Sequence, residues 1–308
     1  MTNRIVLPAV TLAVGVAAAS LLCLPGTSAG KPARPKIYSI AYARFKAVDL
    51  EKSGAFYSNV LGLRSGAESC QGMAEPCFAV NPYQYVRLTQ TSSNDRGSFL
   101  EEVGFNVSDV AAMHAYLSAH GFKPGALTRG ANNLRYFETQ DPEHNRIAFV
   151  ELSGSDSQIN GQHQISNRLF HAGWVVHDLD TEKAFYSDLL GFRLYWYGGF
   201  KDADIDWYEV QVPDGDNWVE FMLNIAANAD HKELGVQNHF SLGVSSAKEA
   251  ASQLRSRGLQ TFDGPEIGRD GKNSLDAYDP DGNRVEVMEF TPAQTPCCHA
   301  YTAPHPKP

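Results

Sequence analysis

The sequence contains an internal duplication. The ten-residue segment that begins at Ala55 recurs from Ala184 with seven identities, at an offset of 129 residues. A second segment, 141–147, recurs at 279–285 with the same Asp-Pro-x-x-Asn-Arg pattern. A duplication of this size predicts two homologous halves, each built on the same local pattern.

The remaining composition fits two domains of ordinary size. The chain has 308 residues, of which 43% are hydrophobic and 20% are charged, as in a soluble globular protein. We place the halves at 37–153 and 169–290, with a polar linker at 154–168 that is rich in Ser, Gly and Gln. The net charge of −9 offers no basic stripe, so we expect no nucleic-acid partner.

A weaker period repeats inside each half. In the second half, residues 169–176 alternate as in a strand, and residues 181–190 have helical spacing that stops at Gly191. The same pattern restarts at 238–244 and continues at 247–257, and short strand-like runs follow each helix. We therefore predict an α+β fold of four βαβββ modules.

Two modules of the second half carry His and Glu at equivalent places. His171 and Glu220 lie on the first and last strands of one module, and His239 and Glu286 on those of the next. A lone strand histidine is usually a satisfied polar residue, but four repeat-related positions indicate a metal site. Imidazole and carboxylate donors together suit one divalent Fe, Mn, Ni, Co or Zn ion rather than calcium.

These segments resemble a known superfamily. Residues 170–179 are similar to the first strand, and residues 279–286 to the last hairpin and strand, of the vicinal oxygen chelate superfamily, which includes glyoxalase I, extradiol dioxygenases and bleomycin and fosfomycin resistance proteins. The resemblance implies four modules paired into two domains with curved mixed sheets. It also implies that the four His and Glu residues hold a metal that binds two neighbouring oxygens of a small substrate.

The first half departs from this pattern. At the same offsets it has Tyr42, Arg87, Glu102 and Ala148 in place of the four ligands. Since Arg and Ala cannot complete a ligand set, we expect no metal there. We also expect Arg87 and Glu102 to form an ion pair across the degenerate site.

The superfamily includes enzymes of several reaction types, so the choice of reaction depends on individual residues. We favour proton-transfer chemistry of the lyase or isomerase type, in which Glu220 and Glu286 are both ligands and proton carriers. A fourth ligand at Glu220 would fill the place that O₂ needs, and Asp276 stands where extradiol enzymes usually have Tyr. The alternatives are an Fe(II) extradiol-type dioxygenase and a non-catalytic binding or resistance protein.

The sequence specifies the substrate-binding residues less closely than it does the metal ligands. Aromatic strand residues more often belong to a core, and a lysine in a Gly-rich loop is more often exposed. With that reservation, the candidates for substrate binding are Trp207, Tyr208, Trp218, Lys272 and Tyr278.

The N-terminus has the pattern of a secretory signal peptide. Arg4 precedes an apolar run at 5–24 and small residues at 27–29, so we expect cleavage after Ala29 and export to the periplasm or the medium. An uncleaved anchor is the alternative, and we expect no stable membrane anchor in the mature chain. Removal of Arg4 makes the mature net charge 25 − 35 = −10. We expect a monomer or homodimer that binds a small oxygenated substrate.

Export permits disulfides among the remaining cysteines. Cys70 and Cys77 bracket a short loop, while Cys297 and Cys298 are adjacent, and the sequence leaves all three pairings open. The run Cys297-Cys298-His299 also suggests a second metal site, which we consider less favoured because its ligand set is incomplete. The tail at 291–308 contains five prolines, so we expect no regular structure, and if stapled it would cover part of the site.

Overall fold

The first half of the chain folds into one mixed sheet. The computed structural model describes Met1, residues 31–66, Cys70, and residues 76–152 and 163–308. Within these residues, the first half has eight strands in the spatial order β2-β3-β4-β1-β5-β8-β7-β6. They are β1 (Ile37–Ala47), β2 (Arg64–Ser65), β3 (Cys77–Asn81), β4 (Gln84–Gln90), β5 (Leu100–Val107), β6 (Thr128–Arg129), β7 (Arg135–Gln140) and β8 (Arg146–Glu151).

The second half repeats this sheet. Its described strands follow the order β10-β11-β12-β9-β13-β16-β15-β14, which is the first order with eight added to each number. They are β9 (Leu169–Val175), β10 (Arg193–Gly198), β11 (Trp207–Gln211), β12 (Trp218–Met222), β13 (His239–Val244), β14 (Asp263–Ile267), β15 (Asn273–Tyr278) and β16 (Arg284–Glu289). Four βαβββ modules in two curved mixed sheets confirm the predicted α+β fold.

One helix connects the first two strands of each module, and an additional helix, the fourth in chain order, joins the third module to the fourth. They are α1 (Leu50–Ala55), α2 (Val110–Ala119), α3 (Leu179–Lys183), α4 (His231–Gln237) and α5 (Ala247–Ser256). The duplicated segment explains the shape of α1 and α3, because both continue as π-helical turns, Phe56–Val60 and Ala184–Leu189. Gly62 and Gly191 follow these turns with φ of 73° and 78°, a conformation that Gly adopts without steric cost. The sequence pattern did not predict α4 or β14.

A β-bulge shapes the concave face of the second sheet, which we call the cup. The register between β13 and β9 shifts between the pairs Ser241–His171 and Leu242–Leu169. The extra residue, Phe170, turns the same way as His171, so two consecutive side chains of β9 face the cup. The bulge thereby aims His171 at the centre of the sheet.

The two halves dock through their duplicated motifs. The Tyr57 hydroxyl donates to Asp279 Oδ2 (3.1 Å), and in the equivalent contact of the repeat the Tyr186 hydroxyl donates to Asp141 Oδ2 (3.3 Å). A continuous cluster of buried apolar side chains runs through both halves, where the rings of Phe45 and Phe240 lie 5.7 Å apart. Each Asp-Pro turn thus packs against the helix of the other half, which explains why both segments recur together.

The structure forms both short-range disulfides, Cys70–Cys77 and Cys297–Cys298. The tail has no helix or strand, and its residues dock on the second sheet instead of extending into solvent. The signal peptide predicted at 1–29, apart from Met1, and residues 154–162 of the predicted linker lie outside the described residues. No helix in the part of the chain that the structure describes is long and apolar enough to cross a membrane.

Candidate metal centre

Strand register brings the four predicted ligands together at the centre of the cup. His171 on β9 is opposite Ser241 of β13, and Ser241 is opposite Glu286 of β16. Gly173 is opposite both His239 of β13 and Glu220 of β12. Side chains on one face of a sheet alternate with a period of two, so the four donors project into the same space.

Three of the ligands, His171, Glu220 and His239, have donor atoms that all lie within 4.8 Å of one another, and Glu286 contacts this group through His171. His171 Nε2 lies 3.0 Å from His239 Nε2, 3.5 Å from Glu220 Oε2 and 3.3 Å from Glu286 Oε2. His239 Nε2 lies 3.1 Å from Glu220 Oε2. Both imidazoles are fully buried, and the two carboxylates are 9% exposed. Of the four residues, the two glutamates are therefore the ones in contact with solvent.

These separations match the coordination sphere of a divalent transition metal. Donors about 2.1 Å from an ion are about 3.0 Å apart when they are cis on an octahedron. The four measured separations, 3.0–3.5 Å, lie at or just above that value. Two imidazoles with one or two carboxylates suit iron, manganese, cobalt, nickel or zinc, so the residues fit the single divalent metal that the sequence predicts.

The surroundings prepare the histidines as ligands. His239 Nδ1 lies 2.9 Å from the Gln237 carbonyl oxygen, a contact that favours the tautomer with its proton on Nδ1 and its lone pair on Nε2. Burial lowers the pKa of His171 and of His239 well below the usual range, so both imidazoles are neutral. Gly173 makes room for this arrangement, because a Cβ there would lie 2.4 Å from His239 Cε1.

Other charged groups that pattern analysis missed surround the ligands. Glu209 on β11 is buried opposite Glu220, and Arg284 lies with its Nη2 2.8–2.9 Å from the ring nitrogens of His239. Arg284 also reaches Asp276, at 3.5 Å. The alternation of β11 and β16 is the signal that could have found them, since each lies two residues or one strand from a predicted ligand. Acidic and basic side chains therefore both surround the ligands.

The predicted substrate contacts divide between the two faces of the sheet. The Trp218 ring lies 4.8 Å from the His171 ring, and Trp207 borders the aromatic cluster at the same end of the cup. Tyr278 shares the face of Asp276, with its hydroxyl donating to Asp263 (3.0 Å). Tyr208 was placed wrongly: it lies next to Glu209 on β11, so it points to the opposite face and packs on the core between the halves.

Lys272 also differs from the expected exposed loop residue. It is fully buried, and its ammonium lies over the rings of Trp218 (4.4 Å), Tyr195 (5.0 Å) and Tyr301 (5.1 Å). Its Nζ donates to the Tyr195 hydroxyl (3.2 Å) and lies 3.9 Å from Asp270 Oδ2. The exposure was misjudged because the tail, which supplies Tyr301, covers this loop.

The first half lacks the donor set at the equivalent positions. Register places Tyr42, Glu102 and Ala148 where the second half has three of its ligands, and Arg44 where it has Gly173. Glu102 accepts from the Tyr42 hydroxyl (2.5 Å) and pairs with Arg44 (3.1 Å).

The predicted ion pair of Arg87 with Glu102 is wrong. Among the described residues, the Arg87 guanidinium lies over the Tyr42 ring at 4.6 Å, while Arg44 takes the carboxylate. Arg44 is the direct cross-strand neighbour of Glu102, whereas Arg87 is one strand farther away. A guanidinium thus occupies the space that Gly173 leaves open in the second half.

Comparison with known proteins agrees with this geometry. Residues 168–287 match the model of the Glyoxalase/Bleomycin resistance protein/Dioxygenase superfamily. No curated protein matches the sequence.

Solved structures match most of the chain. The 2,3-dioxygenase LapB from Pseudomonas sp. KL28 has a TM-score of 0.62 at 19% identity, over 90% of this chain and 96% of that one. Homoprotocatechuate 2,3-dioxygenase from Brevibacterium fuscum, in complex with 3,4-dihydroxyphenylacetate, has a TM-score of 0.61 at 18% identity, over 84% and 82%. A single-residue variant of the Brevibacterium enzyme has a TM-score of 0.66 at 18% identity, over 89% and 75%. Identities at this level show a shared fold.

Proposed function

We propose that this chain is a metal-dependent enzyme, because residues 168–287 match the model of the Glyoxalase/Bleomycin resistance protein/Dioxygenase superfamily. Its metal is held in the cup, and its substrate is a small molecule that presents two neighbouring oxygens. The reaction we propose is extradiol-type ring cleavage of a catechol-like substrate with Fe(II). This reverses the preference for proton transfer that the ligand count alone suggested.

The observation that carries this choice is the architecture of the whole chain. Four modules lie in one polypeptide, and the complete donor set lies only in the second pair among the described residues. Structures named as 2,3-dioxygenases share this fold over 84–90% of the chain. The printed substrate of one of them, 3,4-dihydroxyphenylacetate, is a catechol and has the neighbouring oxygens that our proposal requires.

The residues of the cup have distinct tasks in this proposal. His171, His239 and one carboxylate, Glu220 or Glu286, would hold the ion, and bound Fe(II) would supply the redox chemistry that joins dioxygen to a diol. The buried rings of Trp218 and His171 exclude water on one side. Asp276, opposite Glu286 on β15 and close to Arg284, is placed to accept a proton from a substrate hydroxyl.

One observation favours a second candidate, metal-assisted proton transfer. Glu220 Oε2 lies 3.1 Å from His239 Nε2, as close as a fourth ligand would be. Four protein ligands leave two cis positions on an octahedral ion, which suffice for a bidentate substrate but not for an added O₂. In that case Glu220 would carry the proton between substrate carbons.

A single experiment separates the two candidates. Protein loaded anaerobically with Fe(II) is mixed with a panel of catechols while O₂ uptake and product absorbance are followed. Ring cleavage with one O₂ consumed per substrate supports the dioxygenase. No uptake, together with deuterium exchange from solvent into a carbonyl substrate by the Ni, Zn, Mn or Co form, refutes it in favour of proton transfer.

Variants of one carboxylate sharpen the test. Glu220→Ala should retain O₂ uptake if Glu220 is not needed as a ligand, and it should abolish proton transfer if Glu220 is the base. Glu233→Gln, which changes an acid in the first turn of α4, is the matched control and should leave either activity unchanged.

We also propose that the chain is exported. The sequence pattern of 4–29 and the two disulfides, which persist in oxidising compartments, support this proposal. Cell fractionation of the full chain with mass spectrometry of its N-terminus tests it. A mature N-terminus near Gly30 in the periplasm or medium is expected, whereas an intact N-terminus in the cytosol would contradict export.

A further inference from the structure

The C-terminal tail crosses the open side of the cup from one rim to the other. At the first rim, Ala293 N donates to the Gly271 carbonyl (2.8 Å) and Cys297 N donates to the Arg269 carbonyl (2.8 Å), in the loop between β14 and β15. At the opposite rim, Thr302 N donates to the Tyr195 carbonyl (2.9 Å) on β10. Because β14 and β10 are the two edge strands of the sheet, residues 291–308 form a strap that bridges them.

The strap closes the end of the cup that holds Lys272. Tyr301 contributes one ring of the cage around the ammonium, and its hydroxyl donates to Asp270 Oδ2 (3.0 Å). His305 Nδ1 contacts the Tyr195 hydroxyl (2.8 Å). The Trp218 ring is shared between this cage and His171. The strap is thus two side chains away from the metal ligands.

The adjacent cysteines lie where the strap turns between the rims. Cys298 has a φ of 66°, a left-handed conformation that residues other than Gly rarely adopt. Directly after this turn, His299 stacks on Tyr197 with ring centroids 3.8 Å apart, and the His299 carbonyl accepts from Trp196 Nε1 (3.0 Å). The eight-membered ring closed by Cys297–Cys298 constrains the backbone at this turn, so the later contacts depend on it.

We propose that the Cys297–Cys298 disulfide is a redox-active site that controls this strap. A dithiol reductant attacks one sulfur, the S–S bond breaks, and a mixed disulfide forms. The second thiol of the reductant then displaces the protein sulfur. Two electrons and two protons pass to the cysteines, which become thiols, and the reductant becomes a disulfide. Without the ring, Cys298 leaves the left-handed conformation and the strap detaches from β10.

The surroundings of the sulfurs favour exchange. Both cysteines are half-buried. Arg269 Nη2 lies 3.6 Å from Cys298 Sγ, where its positive charge faces a thiolate leaving group and offsets the Asp202 carboxylate, which lies within 4.8 Å of both sulfurs. Arg269 is itself held by Asp202 and by the Gly199 carbonyl (3.0 Å). In contrast, Cys70 is fully buried and Cys77 is 3% exposed, so the other disulfide is shielded from a reductant.

A disulfide between adjacent residues contributes little as a staple. The stabilisation expected from loop closure grows with the number of residues enclosed, and this loop encloses none. Its effect is therefore on the local backbone. The disulfide would control access to the cup whichever reaction the metal performs.

Hydrogen exchange of the full chain tests the proposal. Air-oxidised protein and protein treated with excess dithiothreitol are compared by mass spectrometry of peptides that cover the strap and β10. We expect reduction to accelerate exchange of the amides of Cys297 and Thr302 about tenfold or more, while β13 and β16 keep their protection. Acrylamide should quench tryptophan fluorescence more strongly after reduction, since Trp196 and Trp218 lie beneath the strap.

Two double variants serve as matched controls. Cys297→Ser with Cys298→Ser should show fast strap exchange without reductant and no further response. Cys70→Ser with Cys77→Ser should respond to reductant as the unmodified chain does. The proposal is overturned if peptide mapping finds free thiols at 297 and 298 in oxidised protein, or if the strap stays protected after their reduction. If the first double variant does not fold, alkylated reduced protein takes its place in the same comparison.

Discussion

Replacing Gly173 with Ala should destroy the metal centre without removing any ligand. An added Cβ would lie 2.4 Å from His239 Cε1 and 2.8 Å from its Nδ1. Ordinary van der Waals contact begins near 3.4 Å, so the imidazole must move by 3.4 − 2.4 = 1.0 Å. Metal–ligand distances tolerate deviations of only about 0.2 Å, so His239 cannot stay in the coordination sphere.

The expected loss can be estimated and measured. Disturbing the support of one ligand typically lowers metal affinity about 10- to 100-fold, and displacing the ligand itself should cost at least that much, or about 1.4–2.7 kcal/mol. The assay is a titration of metal-free protein with Co(II) or Zn(II) in competition with a chromophoric chelator. Gly130→Ala is the matched control, because its Cβ would meet nothing closer than 3.7 Å.

The outcome bears directly on the geometry of the cup. Gly173→Ala should keep the circular dichroism spectrum of the parent chain, since His239 alone has to move. An affinity within threefold of the parent, with the fold intact, would refute the argument that the glycine makes room for His239.

Two further predictions concern buried charge elsewhere in the second half. Burial raises the pKa of Glu182 to about 8, with a further contribution from Asp141, so the folded chain binds this proton more tightly than the unfolded chain and loses stability as pH rises from about 4.5 to 8. Glu182→Gln should therefore flatten the pH dependence of the unfolding free energy and stabilise the protein by roughly 1–3 kcal/mol at pH 8. Denaturant unfolding at pH 5 and pH 8 measures this, and an unchanged pH dependence would contradict it. Lys272→Met leaves the Asp270 carboxylate buried without its cation and should lower the free energy of unfolding by about 3–5 kcal/mol. Combining Lys272→Met with Asp270→Asn should largely restore this stability, and equal stability of the single and double variants would argue against the pair.

The sequence predicted the fold through its repeats. The segments that start at Ala55 and Ala184 mark equivalent helices, so the four modules followed from identities that survive within one chain. The ligands followed because His171 and His239, like Glu220 and Glu286, recur at matching positions of neighbouring modules. Repetition made positions comparable without any knowledge of side-chain contacts.

What the sequence did not predict depends on contacts between distant segments. Lys272 lies in a loop with the local composition of an exposed turn, and it is buried only because Tyr301 reaches it from the tail. Tyr208 was assigned to the wrong face because alternation gives two faces but does not say which one is concave. Arg44 was overlooked for a related reason, since only the register shows that it replaces Gly173 beside Glu102.

The metal content of the purified protein shows whether the second half holds a single ion. Purified protein, prepared with and without exclusion of air and freed of loosely bound ions, is analysed for transition metals together with the His171→Ala and His239→Ala variants. The structure predicts one divalent ion per chain in the parent and none in either variant. Two ions per chain, or one ion that both variants retain, would contradict a single site in the cup.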